Sequence, residues 1–99
     1  MLYVITGKDS SRGLEIRKRV RPEHLARAKQ LVDQGRMIIA GPCPATDSPD
    51  PGPAGFTGSL IIAEFPSLDE ARAWIAADPY VTEGVFESWD VRPFNKVLP

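Results

Sequence analysis

The chain has 99 residues, 12 Lys and Arg against 13 Asp and Glu, and a net charge of −1 at pH 7 with its one histidine neutral. That balance provides no electrostatic footprint for nucleic acid or for an anionic membrane. The length suits one domain, residues 1–99, burying only roughly 60–65% of its unfolded surface, so that self-association would add stability.

Cys43 is the only cysteine, which excludes an internal disulfide, and with His24 as the only histidine no clustered Cys/His spacing exists for a metal site. The opening MLYVITGKDSS has no basic segment followed by a long apolar run, and no stretch approaches the ~20 apolar residues that span a bilayer. A cytoplasmic location is expected, with neither nucleic acid nor membrane as partner.

Leu2–Thr6 (LYVIT) is β-branched and aromatic at successive positions, the pattern of a strand covered on both faces. Lys8–Gly13 is polar and turn-forming, and Leu14–Val20 predicts a short helical turn before Arg21 and Pro22. Pro22 suits a first helical turn, so the first main helix is predicted from there to Gln34, with Gly35 as the stop. At 100° per residue Leu25, Ala28, Leu31 and Val32 fill an arc of roughly 120°, and His24 falls within it. Glu23, Arg27, Gln30, Asp33 and Gln34 fall outside, as a solvated face.

Met37–Ala40 is a second short apolar strand, closed by Gly41 and Pro42. Pro42–Gly58, with its many prolines, reads as a long loop; such loops are uncommon in compact domains unless functional. Proline lowers the entropy lost on ordering, and Phe56 gives the loop an apolar anchor, so a stiff loop is expected. Ser59–Phe65 is a third strand. Ser67 and Glu70 have capping-box spacing, placing the start of a second helix at Leu68. Ala71, Trp74 and Ile75 form its inner side, and Asp78 ends it because Pro79 disfavours helical dihedrals in the residue before it. Val85–Val91 is the fourth strand, with Trp89 and Val91 on one face, Ser88 and Asp90 on the other, and an extended tail after it.

Asp78 projects to the inner side of its helix, as His24 does from the first. A buried carboxylate needs a partner, and the pair is the candidate for chemistry. A neutral imidazole held by a carboxylate is a general base that requires no cofactor and no metal. Tyr80, two residues from Asp78, together with Ser59, Phe56 and Gly41 around the ends of the loop, are the candidate substrate-binding residues. The bland readings stand beside these: His24 and Asp78 tying two helices together, Tyr80 packing, Cys43 as inert filler, Trp74 and Trp89 as core or interface, Asp47 as loop structure.

The order strand, helix, strand, strand, helix, strand predicts an α+β, ferredoxin-like βαββαβ fold: a four-stranded antiparallel sheet with two helices on one face. Strands apolar on both faces leave a second surface uncovered, and a homodimer packed sheet to sheet is the simplest way to bury it.

MLYVI, VRPEHL around His24, AGPCPATDSPDPGPAGFTGS, IAEFPSL, ADPYV at Asp78 and VRPFNKV, which together span essentially the whole chain, resemble the YciI family of the dimeric α/β-barrel superfamily. The resemblance implies a ferredoxin-like dimer with an active site centred on a histidine and an aspartate, here His24 and Asp78. A dehydrochlorinase of chloroaromatic breakdown belongs to the family, and muconolactone isomerase is similar at superfamily level. The resemblance thus implies proton transfer on a small cyclic or phenolic molecule, of lyase or isomerase type. A small-ligand-binding dimer without turnover and an accessory domain of a larger complex remain the alternatives.

Overall fold

The computed structural model describes all 99 residues, Met1–Pro99. Its elements are β1 (Leu2–Asp9), α1 (Gly13–Asp33), β2 (Met37–Pro44), β3 (Phe56–Glu64), α2 (Leu68–Ala76), the single turn α3 (Pro79–Thr82) and β4 (Phe86–Phe94). The four strands form one antiparallel sheet in the order β2-β3-β1-β4, the ferredoxin-like α+β fold. No helix is long and apolar enough to cross a membrane.

Every strand is longer than its apolar run. β1 continues to Asp9 because Gly7 and Lys8 stay paired with both neighbours, and a bulge between Lys8 and Asp9 brings Phe86 opposite Asp9. β2 and β3 extend into the predicted loop, pairing Pro42 with Ser59, Cys43 with Gly58 and Pro44 with Phe56. Prolines are tolerated there because β2 is an edge strand, where a missing N–H need not break the ladder. The connection shrinks to residues 45–55, which contain one 3-10 turn, Gly52–Ala54, and are closed by the Ala45 N–H donating to the Gly55 carbonyl at 2.9 Å.

The largest departure lies in α1. One helix starts at Gly13 and runs through Pro22, in place of a short turn and a separate helix. Pro22 lies on the exposed side of the helix, as does Lys18, whose carbonyl it leaves without an N–H partner. The buried stripe is therefore set by Ile16 and Val20 and continues through His24, Ala28 and Leu31. Leu25 and Val32, assigned to the inner arc, are 38% and 55% exposed. Gly35, at φ 71°, ends the helix as predicted.

At α2 the Ser67 hydroxyl accepts from the Glu70 N–H at 3.1 Å, half of the expected capping box. Asp78 is not the last residue of α2 but the N-cap of α3. The helices pack on one face of the sheet, where Tyr3, Ile5, Ile61, Ala63 and Val91 meet Ile16, Val20 and Leu31 of α1 and Ala71 and Ile75 of α2. Alternation along β1 and its partners puts Leu2, Val4, Thr6, Leu60, Ile62 and Phe94 on the opposite face, which no helix of this chain covers. Asp90 and Arg92 lie on that face as an exposed ion pair of 2.9 Å.

Gly58 sits where a Cβ would collide with the Gly7 carbonyl of the neighbouring strand. Gly58→Ala should therefore destabilise the fold by about 1–3 kcal/mol, read as a lowered urea midpoint; an unchanged midpoint would show that the strands part freely there.

Candidate active site

Local turn chemistry fixes the acid. The Asp-Pro step holds Asp78 in an extended conformation, φ −72° and ψ 141°, with its side chain folded back to cap α3. Oδ1 accepts the Tyr80 N–H at 2.9 Å and meets His24 Nδ1 at 2.8 Å. Oδ2 accepts from Arg27 Nη1 at 2.8 Å, while Arg27 Nη2 donates to the Trp74 carbonyl at 2.8 Å. Asp78 is fully buried, with a charge partner and a hydrogen-bond donor for each oxygen.

A carboxylate with these donors is an acceptor, so the neutral form of the His24 ring carries its proton on Nδ1 and has its lone pair at Nε2. Nε2 makes no hydrogen bond within the protein, and no fully buried side-chain nitrogen or oxygen is left without a partner. It is therefore not fully buried, and His24 is among the residues that line a cavity. The imidazole stacks on the Tyr80 ring, with centroids 3.8 Å apart and planes 8° from parallel, and Phe86 meets Tyr80 edge-on at 5.6 Å.

The cavity has a volume of ≈160 Å³ and lies between α1 and the β2–β3 pair. His24, Tyr80, Ser59 and Gly41 all line it, with Leu25, Ala28 and Ile61 as its apolar wall. Four of the six candidate residues thus share one space. Phe56 lines an adjoining cavity of ≈270 Å³ that shares Arg17, Arg21, Pro42 and Tyr80 with the first. Asp78 stands behind His24 and touches neither. Ser59 and Gly41 belong to paired strands, not to loop ends, and Asp47 and Cys43 are exposed outside both linings. Trp74 packs against the core, whereas Trp89 is 36% exposed.

Sequence reasoning missed three arginines. Arg17 is buried: Nε and Nη2 hold Asp9 at 2.9 and 2.8 Å, and Nη2 also donates to the Gly58 carbonyl and the Ser59 hydroxyl. It stands 4.9 Å from the Phe56 ring centre and 5.0 Å from that of Tyr80. Burial raises the Tyr80 hydroxyl above its ordinary pKa of 10.0, against the smaller pull of Arg17, so it remains a proton donor at neutral pH. Arg27 was assigned to the solvated face; its long side chain reaches back over Trp74 to Asp78. Arg21 lines both cavities. The spacing Arg17, Arg21, His24 is the i, i+4, i+7 signal that a helix starting at Pro22 conceals. No group of three His, Cys, Asp or Glu side chains is placed to hold a metal ion.

Residues 1–95 match the YCII-related domain. The chain belongs to this family. Among YCII-related relatives, protein YciI of Escherichia coli O6:H1 is 60% identical over 98 residues, 99% of this chain and 100% of that one. An uncharacterised protein of Haemophilus influenzae is 50% identical over the same coverage. A similar solved structure is 5-chloro-2-hydroxyhydroquinone dehydrochlorinase from Burkholderia phenoliruptrix AC1100 in complex with 2,5-dihydroxybenzoquinone. It superposes with TM-score 0.83 at 27% identity, covering 96% of this chain and 94% of that chain.

The geometry makes a spectroscopic prediction for this YCII-related chain. Nitrogen-15 NMR should find the neutral His24 ring protonated at Nδ1, and Asp78→Asn, which can offer an amide N–H in place of an acceptor, should disturb that tautomer. A ring protonated at Nε2 in the unmodified protein would remove the arrangement.

Proposed function

We propose that the protein is a cofactor-independent acid–base enzyme of lyase or isomerase type. His24 is the catalytic base and acid, Asp78 holds its tautomer, and the substrate is a small cyclic or phenolic organic molecule. Nε2 takes a proton from a ring carbon activated by an adjacent carbonyl or enol, and the C–H electron pair moves into the ring system. The imidazolium then returns the proton elsewhere, giving isomerisation, or the electron pair expels a leaving group, giving elimination. Asp78 stabilises the imidazolium in between.

The observation that carries this reading is the division of the imidazole, with Nδ1 committed to a buried carboxylate and Nε2 left without a protein partner in a residue that lines a cavity of single-ring size. The dehydrochlorinase adds support: at 27% identity it has the same fold and is in complex with a dihydroxyquinone. Tyr80, Ser59 and Gly41 would orient the ligand as cavity walls and Phe56 from the adjoining space. A non-catalytic binding or accessory dimer is the competing reading, favoured by the fact that Asp78 also caps α3 and ties it to α1. Deuterium uptake from D2O into the ring carbons of small phenols, lactones and 2,5-dihydroxybenzoquinone separates the two. His24→Gln should slow it by about 10²–10⁴-fold while the ligand still raises the melting temperature. Equal uptake by both proteins would leave only the binding role.

We also propose that residues 1–99 act as one domain and that two copies pack through the uncovered sheet face, closing the dimeric α/β barrel. The support is that Val4, Leu60 and Ile62 are apolar and only half-buried in one chain, and Ile39 is 57% exposed. Ile62→Lys should halve the mass measured by light scattering. A monomeric unmodified protein would contradict this assembly.

A further inference from the structure

The two adjoining cavities carry charge of a single sign. Arg17 and Arg21 line both, Lys18 lines the second, and neither lining contains an Asp or Glu. Arg17 is neutralised by Asp9, but Arg21 and Lys18 form no ion pair with any carboxylate. Asp78, the nearest acid to His24, is sealed behind the ring and balanced by Arg27. A chain with net charge −1 thus concentrates uncompensated positive charge at one concave place, where low-dielectric walls focus the field.

Arg17 adds a directed donor. Its Nε and Nη2 serve Asp9, Gly58 and Ser59. Nη1 joins none of these bonds and, since no fully buried side-chain nitrogen lacks a partner, is not sealed in the protein; Arg17 also acts on the Tyr80 hydroxyl through its charge and a side-chain hydrogen bond. Along α1, Arg21 precedes His24 by about 5 Å of helix rise and Arg17 by about 10 Å. The apolar wall of Leu25, Ala28 and Ile61 lies in the first cavity, whose ≈160 Å³ is close to the ~150 Å³ that admits a benzene ring. The Tyr80 hydroxyl, kept protonated by burial, adds a donor on the same side.

We propose that Arg17 and Arg21 form an anion-binding subsite, and that the ligand is a single-ring organic oxyanion whose charged oxygen meets these two guanidinium groups while its ring lies beside His24. Lys18 at the outer cavity draws the anion in. This deepens the proposed function by naming the charge of its substrate, and it rests on that reading only in placing the ligand in the same cavity.

Isothermal titration with 2,5-dihydroxybenzoquinone, a vinylogous acid ionised at neutral pH, and with its uncharged dimethyl ether tests the subsite directly. The anion should bind at least about tenfold more tightly than the ether, as one charge-assisted contact allows. Raising salt from about 50 mM to about 500 mM should weaken the anion alone. Arg21, exposed and without a structural partner, is the residue to change. Arg21→Gln should cost the anion about tenfold in affinity and leave the ether untouched, and Arg21→Lys should restore part of the loss. Equal binding of anion and ether, an unchanged anion affinity in Arg21→Gln, or no binding of the anion at millimolar concentration would each overturn the proposal. Repeating the titrations in His24→Gln keeps the two readings apart. Charge-selective binding there, with no deuterium uptake in the unmodified protein, rejects proton transfer and sustains the subsite. Uptake without charge selectivity does the reverse.

Discussion

The carboxylate of Asp78 has no contact with water, and the fold around it is arranged so that it does not need any. A buried charge is tolerated only when it is paired and its lone pairs are used. Here the donors come from two places in the chain: the backbone N–H of Tyr80 two residues on, and the side chains of Arg27 and His24 from α1, 51 and 54 positions earlier. The Asp-Pro step that stops α2 also starts α3, so one local rule of backbone geometry places an acid at the junction of three helices. Any displacement of α1 against α3 would break charged bonds in a dry environment, which keeps the imidazole in one position.

The residues around the cavity share a division of labour. Each gives part of its polar inventory to the fold and keeps the rest for the space it lines. His24 gives Nδ1 and keeps Nε2; Arg17 gives Nε and Nη2; Tyr80 gives its backbone N–H and its ring face, and its hydroxyl, acted on by Arg17, stays protonated. Groups fixed in this way are already oriented without a ligand, so the binding proposed there would order little that was free. The stack of Tyr80 on His24 contributes in the same direction by removing rotation about the imidazole.

The strands, the second helix and the His24–Asp78 pair were legible because each follows from a short-range rule: β-branched runs, Ser-x-x-Glu spacing, and an aspartate forced out of a helix by the next residue. The cationic half of the site was not. Pro22 is a strong start signal and separates the helical turn predicted over Leu14–Val20 from the helix after it, so the predicted inner arc leaves out Ile16 and Val20 and turns toward Leu25 and Val32. With the helix drawn from Gly13, Arg17, Arg21 and His24 fall on one face. Arg27 escaped for a different reason. An arginine on the polar side of a helix can still reach the interior with its head group, and a wheel shows only where its Cβ points. The β2–β3 extension was concealed by prolines that would exclude a central strand but not an outer one.

Prolines at both edges of the sheet have a consequence for assembly. The sheet ends laterally in β2, with Pro42 and Pro44, and in β4, with Pro93. Each removes a backbone donor that a foreign strand would need to add itself alongside. Open-ended accretion, strand upon strand, is discouraged at both rims, while the broad apolar face keeps its full capacity for contact. Fibrous growth through the edges of the sheet is thereby disfavoured.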